Sequence, residues 1–569
     1  MELFLDIETN TAHDHIWMCW TFDEENGYLC HEKPETLAPL INKADKVIAH
    51  NLIGFDGPVL NRCWGMRLGL KKSMDTLVMS RLYKPDIDGG HSLEAWGKRL
   101  GGRQKSDYQR IYWRLLGQRK YDAKDVTHWN NPNIPLMSAY CKRDVKVLVD
   151  VYNYLQNELE EWGESVSLEH SVAAIIKKQQ DNGFLFDEAK ARKLLSLLSS
   201  ELADLEGSLQ SVFPPIVTER WSEKTGKQLK DKVEVFNPGS RQQIAKRLQS
   251  LGAKFTEKTD KGQVVINEQT LSEIELPEAK QILRYLLIQK RISQVSSWFD
   301  EVKDDGRIHG RVISNGAVTG RMTHNHPNMA QIPNSGSEYG PECRECFTVA
   351  DGYKLVGADA SGLELRMLAH YMRDERYVKT VVEGSSKDGT DVHTVNQKAA
   401  GLQTRDQAKT FIYAFLYGAG PAKIGSIVGG DAGDGQRLIR KFLRSTPALQ
   451  RLRDKVSRYA AKGFVPGLDG RKIWVRSEHA ALNTLLQGAG AIVMKKALVL
   501  LDKKIKAATI DARFVANVHD EWQIEVKEEQ AEEVGKMAVA AIEEAGAYFN
   551  LRCPLTGEWN VGLNWKETH

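Results

Sequence analysis

Two adjacent carboxylates occupy the middle of a strand-like segment near the end of the sequence. In "FVANVHDEWQIEV", residues 514–526, apolar and polar residues alternate around His519, Asp520 and Glu521. Successive side chains of a strand point to opposite faces, so Asp520 and Glu521 can serve one site only if a tight turn separates "FVANV" from "QIEV". We therefore predict a β-hairpin with the acids at its tip. A solvated acidic turn is the alternative, and it is the commoner meaning of such a pair.

A third acid, Asp359, ends the apolar segment "YKLVGADA" at 353–360, which we predict to be a buried strand. Carboxylates from distant parts of a chain, as Asp359 and Asp520 are, can hold two divalent ions about 3.5–4 Å apart for phosphoryl transfer. Mg²⁺ suits such a pair because it prefers hard oxygen ligands and retains water, with Mn²⁺ as a substitute. An aspartate at a strand end can also act only as the cap of a helix.

A mixed stripe of cations and aromatic rings follows in "TRDQAKTFIYAFLYGAG", residues 404–420. Arg405, Lys409, Tyr413 and Tyr417 are spaced four apart, which places them along one face of a predicted helix. Like charges at this spacing repel by a few tenths of a kcal/mol, a cost consistent with a face that meets phosphates. The stripe suits a triphosphate at one end and a stacked base at the other. An ordinary amphipathic helix with aromatic residues in the core is the alternative.

The first 150 residues carry a separate set of acids. "LFLDIETN" sets Asp6 and Glu8 two apart on one strand face, "HNLIGFDGPVL" contains Asp56, and "YCKRDVKV" sets Tyr140 and Asp144 one helical turn apart. Each piece also has a structural reading: a surface strand, a helix cap and an incidental pair. The three segments supply carboxylates of the kind that can hold divalent metal ions.

The elements that must position these residues fall into three regions. Residues 1 to about 155 mix apolar strands such as "LFLDIE" and "KVIAHN" with a long helical segment, which indicates a small α/β domain. Residues 165–300 are strongly helical, with two long helices that bracket a polar tip, and we predict a projecting arm. Residues 306–569 mix strands and helices.

Composition limits the class of protein. The 569 residues predict three to four domains, and 41% hydrophobic with 27% charged residues is typical of a soluble globular protein. A net charge of +3 neither demands nor forbids a polyanionic partner. The seven cysteines predict free thiols, and "CREC" at 343–346 lacks the second pair that a zinc site needs. We find no apolar run near the ~20 residues of a membrane span and expect a cytoplasmic protein without a membrane partner.

Several long motifs in order identify a family resemblance. "DASGLELR", the Arg-x-x-x-Lys-x-x-x-Tyr-x-x-x-Tyr-Gly helix and "VHDE" resemble the three polymerase motifs of the family A, or DNA polymerase I-like, enzymes. "NGAVTGRMTHNHPNMAQIP" (315–333) and "HAALNTLLQGAGA" (479–491) extend the likeness over essentially the whole chain. It is nearest to the replicative polymerases of podophages.

The resemblance implies an α/β and α+β multidomain fold, in which an RNase H-like exonuclease domain precedes a right-hand polymerase. The implied boundaries are 1–160 for the exonuclease domain, 161–305 for the thumb, 306–395 and 475–569 for the palm, and 396–474 for the fingers.

The resemblance also implies roles for individual residues in the polymerase region. Asp359, Asp520 and the Ala360 carbonyl would bind two Mg²⁺ ions, and Glu521 would assist near the primer end. The incoming nucleotide would be bound by Arg405, Lys409 (also the general acid), Tyr413, Tyr417, His393 and Glu364, the last as a steric gate against ribose. Primer and template would be contacted through the minor groove by Arg321, Gln331, Asn483, Gln487 and His519.

The N-terminal acids resemble those of the DEDD 3′-5′ exonucleases of the Tyr subtype. Asp6, Glu8, Asp56 and Asp144 would hold two metal ions, and Tyr140 would orient the attacking water. Because every acid of the pattern is present, the resemblance predicts active proofreading.

We therefore expect a template-directed DNA polymerase with a proofreading exonuclease that replicates a phage genome. The expected partners are primer-template DNA, dNTPs, a phage helicase-primase and a single-stranded DNA-binding protein. The stretch at 213–240 is short and holds a lysine-rich loop, so we expect phosphate contacts there and no thioredoxin requirement. No 5′ nuclease domain is expected before the exonuclease domain. A single-subunit RNA polymerase, a DNA-binding scaffold without catalysis and a repair nuclease are the alternatives.

Overall fold

The computed structural model describes residues 1–101, 107–117, 124–259 and 261–569. The N-terminal region contains β1 (Glu2–Thr9), β2 (Ile16–Asp23), β3 (Gly27–His31), α1 (Pro34–Lys43), β4 (Lys46–Ala49), α2 (Gly57–Trp64), β5 (Ser73–Asp75), α3 (Thr76–Tyr83), α4 (Leu93–Arg99), α5 (Tyr108–Leu115), α6 (Thr127–Asn130) and α7 (Ile134–Glu158). Its sheet has the order β3-β2-β1-β4-β5, with β1 antiparallel to β2 and parallel to β4. This mixed sheet with helices on both faces is the RNase H-like arrangement that the sequence predicts.

The alternation of β1 explains where its acids point. Leu3, Leu5 and Ile7 belong to one apolar cluster, whereas Phe4 belongs to the cluster that the long helix α7 completes. Because side chains alternate between the two faces, the even-numbered Asp6 and Glu8 lie on the α7 face. Two carboxylates therefore interrupt the surface on which α7 packs.

The arm contains α8 (Gly163–Asn182), β6 (Phe184–Phe186), α9 (Glu188–Val212), β7 (Ile216–Trp221), β8 (Gln228–Glu234), α10 (Arg241–Ser250), α11 (Glu268–Ser272) and α12 (Pro277–Phe299). The two long helices α9 and α12 pack together, as the arm prediction requires. The lysine-rich segment at the tip of the arm is not a loop, as the sequence predicted, but an antiparallel hairpin of β7 and β8. Lys230 and Lys232 are exposed on β8, while Lys224 and Lys227 lie in the turn. Alternating side chains favour pairing of β7 with β8. The many charged residues of the segment hide this alternation in the sequence.

The C-terminal half is built around an antiparallel sheet of order β16-β17-β13-β18. It contains β9 (Arg307–Ile308), β10 (Arg311–Ile313), β11 (Thr323–Asn325), α13 (Gly340–Glu345), β12 (Phe347–Thr348), β13 (Tyr353–Ala360), α14 (Leu363–Met372), α15 (Glu375–Glu383), α16 (Val392–Ala400), α17 (Arg405–Leu416), α18 (Pro421–Ser426), α19 (Ala432–Ser445), α20 (Pro447–Ala460), β14 (Phe464–Pro466), β15 (Lys472–Trp474), α21 (Ala481–Ala507), β16 (Ala512–Val518), β17 (Glu521–Lys527), α22 (Ala531–Tyr548) and β18 (Gly557–Gly562). The fold class is as predicted, and the exact domain boundaries stay predictions.

Helix α21 corrects one expectation. By length and composition, residues 478–507 could cross a membrane, so the prediction that no apolar run approaches that length is wrong. However, 78% of its apolar window is buried inside the protein, which identifies α21 as the central helix of the C-terminal core. Among its first ten residues, all but Asn483 and Gln487 are buried.

An ion cluster fastens α21 to the rest of the molecule. The carboxylate of Glu169 on α8 accepts hydrogen bonds from Lys495 Nζ (2.8 and 3.0 Å) and from Arg471 Nη1 (2.6 Å). Arg471 also binds Asp469, and Lys495 donates to Asn315 Oδ1 at 3.0 Å. The four charged side chains of this cluster, those of Glu169, Asp469, Arg471 and Lys495, are at most 4% exposed. The cluster therefore connects α8 and α21 with Asn315, which lies in the segment that leads to Arg321.

The prediction of free thiols is confirmed. All seven cysteines are free thiols. Cys343 and Cys346 are buried, and burial raises the pKa of each to about 12. Neither belongs to a group of metal-ligating side chains among the described residues.

Candidate functional site

The predicted hairpin is confirmed, and its two acids have different surroundings. Val518 pairs with Glu521, so His519 and Asp520 form a two-residue turn in which His519 has a φ of 55°. Short turns between antiparallel strands commonly need such positive φ values. Asp520 lies in the turn, whereas Glu521 begins β17 and is buried.

Asp359 lies next to both hairpin acids. On β13 it is paired with Glu521 on one side and with Glu558 of β18 on the other. The Ala360 backbone N–H donates to the Asp520 carbonyl at 3.2 Å, which joins the strand end to the turn. Burial raises the pKa of Asp359, and Glu521 and Glu558 raise it further. The strand end thus has an excess of negative charge.

Asp520 has the same electrostatic character. Burial raises its pKa and Glu364 adds to this effect, while Arg321 opposes it. Closely placed carboxylates whose ionised forms are disfavoured create a demand for a cation, and hard oxygen donors match Mg²⁺. The residues therefore fit the magnesium ions that the sequence implies.

Glu521 is held by the C-terminal segment. Its carboxylate accepts hydrogen bonds from Trp565 Nε1 (2.6 Å) and Gln523 Nε2, and it pairs with His569 Nδ1 at 2.8 Å. Burial opposes ionisation of Glu521, but the hydrogen bonds and charges of His569, Gln523 and Arg344 together outweigh burial, and the pKa is lowered. The segment can lie this close because position 357 is glycine, where a Cβ would overlap the Thr568 carbonyl.

A chain of polar contacts connects the hairpin to the helix stripe. Tyr417 Oη donates to Glu364 Oε2 at 2.7 Å, and Arg321 Nη2 lies 3.2 Å from Glu364 Oε1 and 3.9 Å from Asp520 Oδ1. Tyr413 stacks against Tyr417, with ring centroids 6.3 Å apart. Residues from four separate motifs therefore meet in one place.

The cationic end of the stripe has a partner that sequence reasoning missed. Helix α17 begins at Arg405 behind a Thr404 capping box, and Arg405 Nη2 pairs with Asp391 at 3.0 Å. His393 lies beside them, with its ring 6.2 Å from Tyr413. Lys409 is exposed one turn further along the helix. The Asp391-x-His393 spacing was the available signal, since Asp391 caps α16 through its bond from the His393 N–H.

The remaining predicted DNA contacts lie around this centre. Asn483 and Gln487 are the partly exposed positions on the first turns of α21. Gln331 is exposed, and its carbonyl accepts from Gln294 on α12. His519 lies near His324, a residue that the sequence reasoning did not single out, and burial followed by the charge of His519 lowers the pKa of His324 to about 4.

A cavity of about 610 Å³ lies beyond Tyr417. Its lining includes Gly418, His479, Arg440 and Arg453. The two arginines come from the basic segments "RKFLR" (440–444) and "RLRDK" (451–455). The stripe is therefore continued by a basic hollow at its aromatic end.

Three of the four predicted N-terminal acids, Asp6, Glu8 and Asp56, lie near one another, and a cysteine joins them. Asp6, Glu8 and Cys141 offer ligand atoms within 4.8 Å of one another. Burial raises the pKa of Asp56, and the charge of Asp6 raises it further, so Asp56 faces the same cluster. Cys141 lies between Tyr140 and Asp144 on α7, and its Sγ is 3.5 Å from Asp6 Oδ2. Sequence reasoning quoted Cys141 but gave it no part.

Tyr140 is embedded among aromatic rings. It lies 5.4 Å from Tyr108 and 6.3 Å from Trp129, and it is 9% exposed. The ring is therefore held rigidly beside the acid cluster.

Comparison with known proteins agrees with this geometry. The model of the family described as DNA polymerase family A matches residues 217–567. The chain is 34% identical to the DNA-directed DNA polymerase of Enterobacteria phage T3, with 100% of both chains covered, and 34% identical to that of Escherichia phage T7, with 94% of both covered. A solved structure, the POL domain of Pol1 from M. smegmatis in complex with DNA primer-template and dNTP, superposes with a TM-score of 0.78 at 20% identity, over 100% of this chain and 96% of that one.

Proposed function

Because the chain belongs to DNA polymerase family A and is a DNA-directed DNA polymerase with phage relatives, we propose that it adds dNMPs to a primer 3′ end by two-metal-ion phosphoryl transfer and removes misincorporated nucleotides with its N-terminal domain. It would act on primer-template DNA in the host cytoplasm, during replication of a phage genome.

The observation that carries the polymerase proposal is the meeting of Asp359 and Asp520. Asp359 is paired with Glu521 across β13 and β17, and Asp520 lies in the turn directly before Glu521, where its carbonyl accepts from the Ala360 N–H. Burial raises the pKa of both aspartates. Bound there, two Mg²⁺ ions would lower the pKa of the primer hydroxyl and stabilise charge on the transferred phosphoryl group. Glu521 is fixed by Trp565 and His569 and keeps the metal-binding strand end in register.

The helix stripe supports nucleotide binding. Lys409 is exposed and Arg405 is oriented by Asp391, so both can meet an incoming triphosphate. Lys409 would donate a proton to the leaving pyrophosphate. Glu364 is fixed by Tyr417 and Arg321. A fixed side chain in that position would exclude a ribose 2′-hydroxyl by collision.

The exonuclease proposal rests on the second acid cluster. Asp6 and Glu8 share the α7 face of β1, and Asp56 is close enough to Asp6 for their charges to interact. The oxygen donors fit Mg²⁺, and metal ions bound there would activate water for attack on the terminal phosphodiester. Tyr140, rigid among its aromatic neighbours, would orient that water.

The test is a primer assay with four chains. A 5′-labelled primer on a DNA template is incubated with Mg²⁺, with and without dNTPs, using the native chain, Asp520→Ala and Asp6→Ala. Glu533→Ala, an exposed acid on α22, is the matched control. Circular dichroism confirms that each variant is folded.

The proposal expects lengthening with dNTPs and shortening without them for the native chain and the control. Asp520→Ala should only shorten the primer, and Asp6→Ala should only lengthen it. If the native chain only shortens the primer, the repair nuclease takes the place of the polymerase. If it changes nothing, a DNA-binding scaffold takes that place, and if Asp6→Ala still shortens the primer, the exonuclease assignment is wrong.

A further inference from the structure

A cleft with a volume of about 300 Å³ lies where the N-terminal region meets α8 and β10. We call it the junction cleft, and its polar lining includes Asn51, Arg81, Lys177, Gln180, Arg311 and Ser314. Its lining contains none of the carboxylates of the acid clusters described above, although Asp75 in the lining is near enough to Asp56 to raise the pKa of Asp56. However, Asn51 begins the turn that ends at Asp56, and β10 leads through residues 314–320 to Arg321. Two segments that line the cleft therefore lead directly along the chain to the N-terminal acids and to the polymerase-motif residues.

Two arginines from separate elements face this cleft. Arg81 lies on α3 and Arg311 on β10, and they are close enough for their charges to repel. Burial lowers the pKa of Arg81, and the charge of Arg311 lowers it further. Lys177 adds a third cation, although it is paired with Asp181 one turn along α8.

The one acid in the lining does not neutralise them by direct contact. Asp75 is 1% exposed, and its carboxylate accepts hydrogen bonds from the backbone N–H groups of Asn51 (2.9 Å), Ile53 (3.0 Å) and Leu77 (2.9 Å). Within the described ranges, neither Arg81 nor Arg311 forms an ion pair. Arg311 is exposed and Arg81 is partly buried, and the charge of Asp75 offsets part of the effect on Arg81. With Lys177 as a third cation, the lining keeps an excess of positive charge that is accessible to an anion.

We propose that the junction cleft binds a backbone phosphate of single-stranded DNA through Arg81 and Arg311. Guanidinium groups bind phosphate oxygens through paired, charge-assisted hydrogen bonds, and the cleft volume lies at the lower end of the range of small-ligand sites. No base-specific contact is required. This inference rests on the proposed function, because a DNA strand that leaves the polymerase carboxylates for the N-terminal acids must cross the junction between the two regions.

Binding to a labelled twelve-nucleotide oligo(dT) is measured by fluorescence anisotropy over a series of salt concentrations. Ca²⁺ replaces Mg²⁺ so that the oligonucleotide is bound without being cleaved. The chains are native, Arg81→Gln, Arg311→Gln and the double variant. Arg62→Gln, an exposed arginine on α2 outside the cleft, is the control with the same change of charge. A parallel titration with inorganic phosphate at constant ionic strength distinguishes a free anion from a DNA backbone.

Each cleft variant should bind oligo(dT) about tenfold more weakly, and the slope of log K against log salt should become shallower by about 0.7. The double variant should lose less than the product of the two single losses, because both arginines hold one phosphate. The control should change neither quantity. Thermal unfolding of the single variants should not begin earlier than in the native chain, because each substitution removes a repulsion between cations.

Three results would overturn the proposal: cleft variants that bind like Arg62→Gln, single losses that multiply without coupling, or inorganic phosphate that binds the cleft while oligo(dT) binding is unaffected. The assay requires neither nucleotide addition nor hydrolysis, so its failure leaves the proposed function intact. Failure of the proposed function would instead be seen as a native chain that does not extend a primer.

Discussion

Replacement of Glu169 with Gln tests how strongly the buried ion cluster holds α8 and α21 together. The substitution keeps the shape of the side chain but removes the charge that accepts three hydrogen bonds from Lys495 and Arg471. Arg471 retains Asp469, with bonds of 2.6 to 3.0 Å. The loss therefore falls mainly on Lys495, whose remaining partner is Asn315 at 3.0 Å.

The expected cost follows from burial. Removing one partner of a buried ion pair typically destabilises by about 3–5 kcal/mol, because the other charge is left uncompensated. Burial already lowers the pKa of Lys495 to about 8 even with Glu169 present. Deprotonation of Lys495 in the variant limits the loss, so we expect about 3 kcal/mol at neutral pH. The unfolded chain binds the Lys495 proton more strongly than the folded chain does, so the free energy of unfolding should rise with pH in both the native chain and Glu169→Gln. In Glu169→Gln this rise should begin at a lower pH, because Lys495 loses its proton more easily there.

The assay is amide hydrogen exchange on peptides from α8 and α21, since a chain of several domains does not unfold in two states. A loss of about 3 kcal/mol corresponds to exchange about a hundredfold faster. The matched control is Glu164→Gln, an exposed acid on α8 that accepts from Tyr548 Oη. Glu169→Gln with Lys495→Met should recover most of the loss. Exchange in Glu169→Gln that matches the control would refute the reasoning.

Three further predictions follow from the site. Protonation of His324 is disfavoured in the folded chain, where its pKa is about 4 against 6.5 in the unfolded chain. The free energy of unfolding should therefore fall by up to about 3 kcal/mol as the pH drops from 6.5 to 4. Thermal unfolding measured against pH should show no such fall in His324→Asn. Glu364→Ala should raise incorporation of ribonucleotides relative to deoxyribonucleotides about tenfold or more, measured by single-turnover extension, and an unchanged ratio would contradict the steric-gate role. Lys230→Gln with Lys232→Gln should make the salt dependence of duplex binding shallower by about 0.9 for each DNA phosphate that the hairpin no longer neutralises, and an unchanged slope would remove the hairpin from DNA binding.

Much of the candidate site could be predicted from local sequence. The spacing of Arg405, Lys409 and Tyr413 placed them on one helix face because a helix repeats every 3.6 residues. The position of Asp520 in a turn followed from the alternation on both sides of it. These features depend on neighbours within a few residues, which the sequence displays directly.

Other features were predicted incompletely for the same reason. The lysine-rich segment was interpreted as a loop from its charges, but its pairing as β7 and β8 depends on a partner strand. Helix α21 was not recognised as membrane-length because its polar residues are scattered, and only the structure shows that most of its apolar window is buried.

The sequence by itself determined the family, the fold class and the residue types available for metal, nucleotide and DNA. Tertiary structure alone decided that His569 holds Glu521, that Asp391 orients Arg405 and that Arg81 and Arg311 line one cleft. His569 and Glu521 are 48 residues apart, and Arg81 and Arg311 are 230 apart. Contacts over such distances depend on how whole elements pack, because no local periodicity or spacing encodes which side chain arrives on the other side of a cleft.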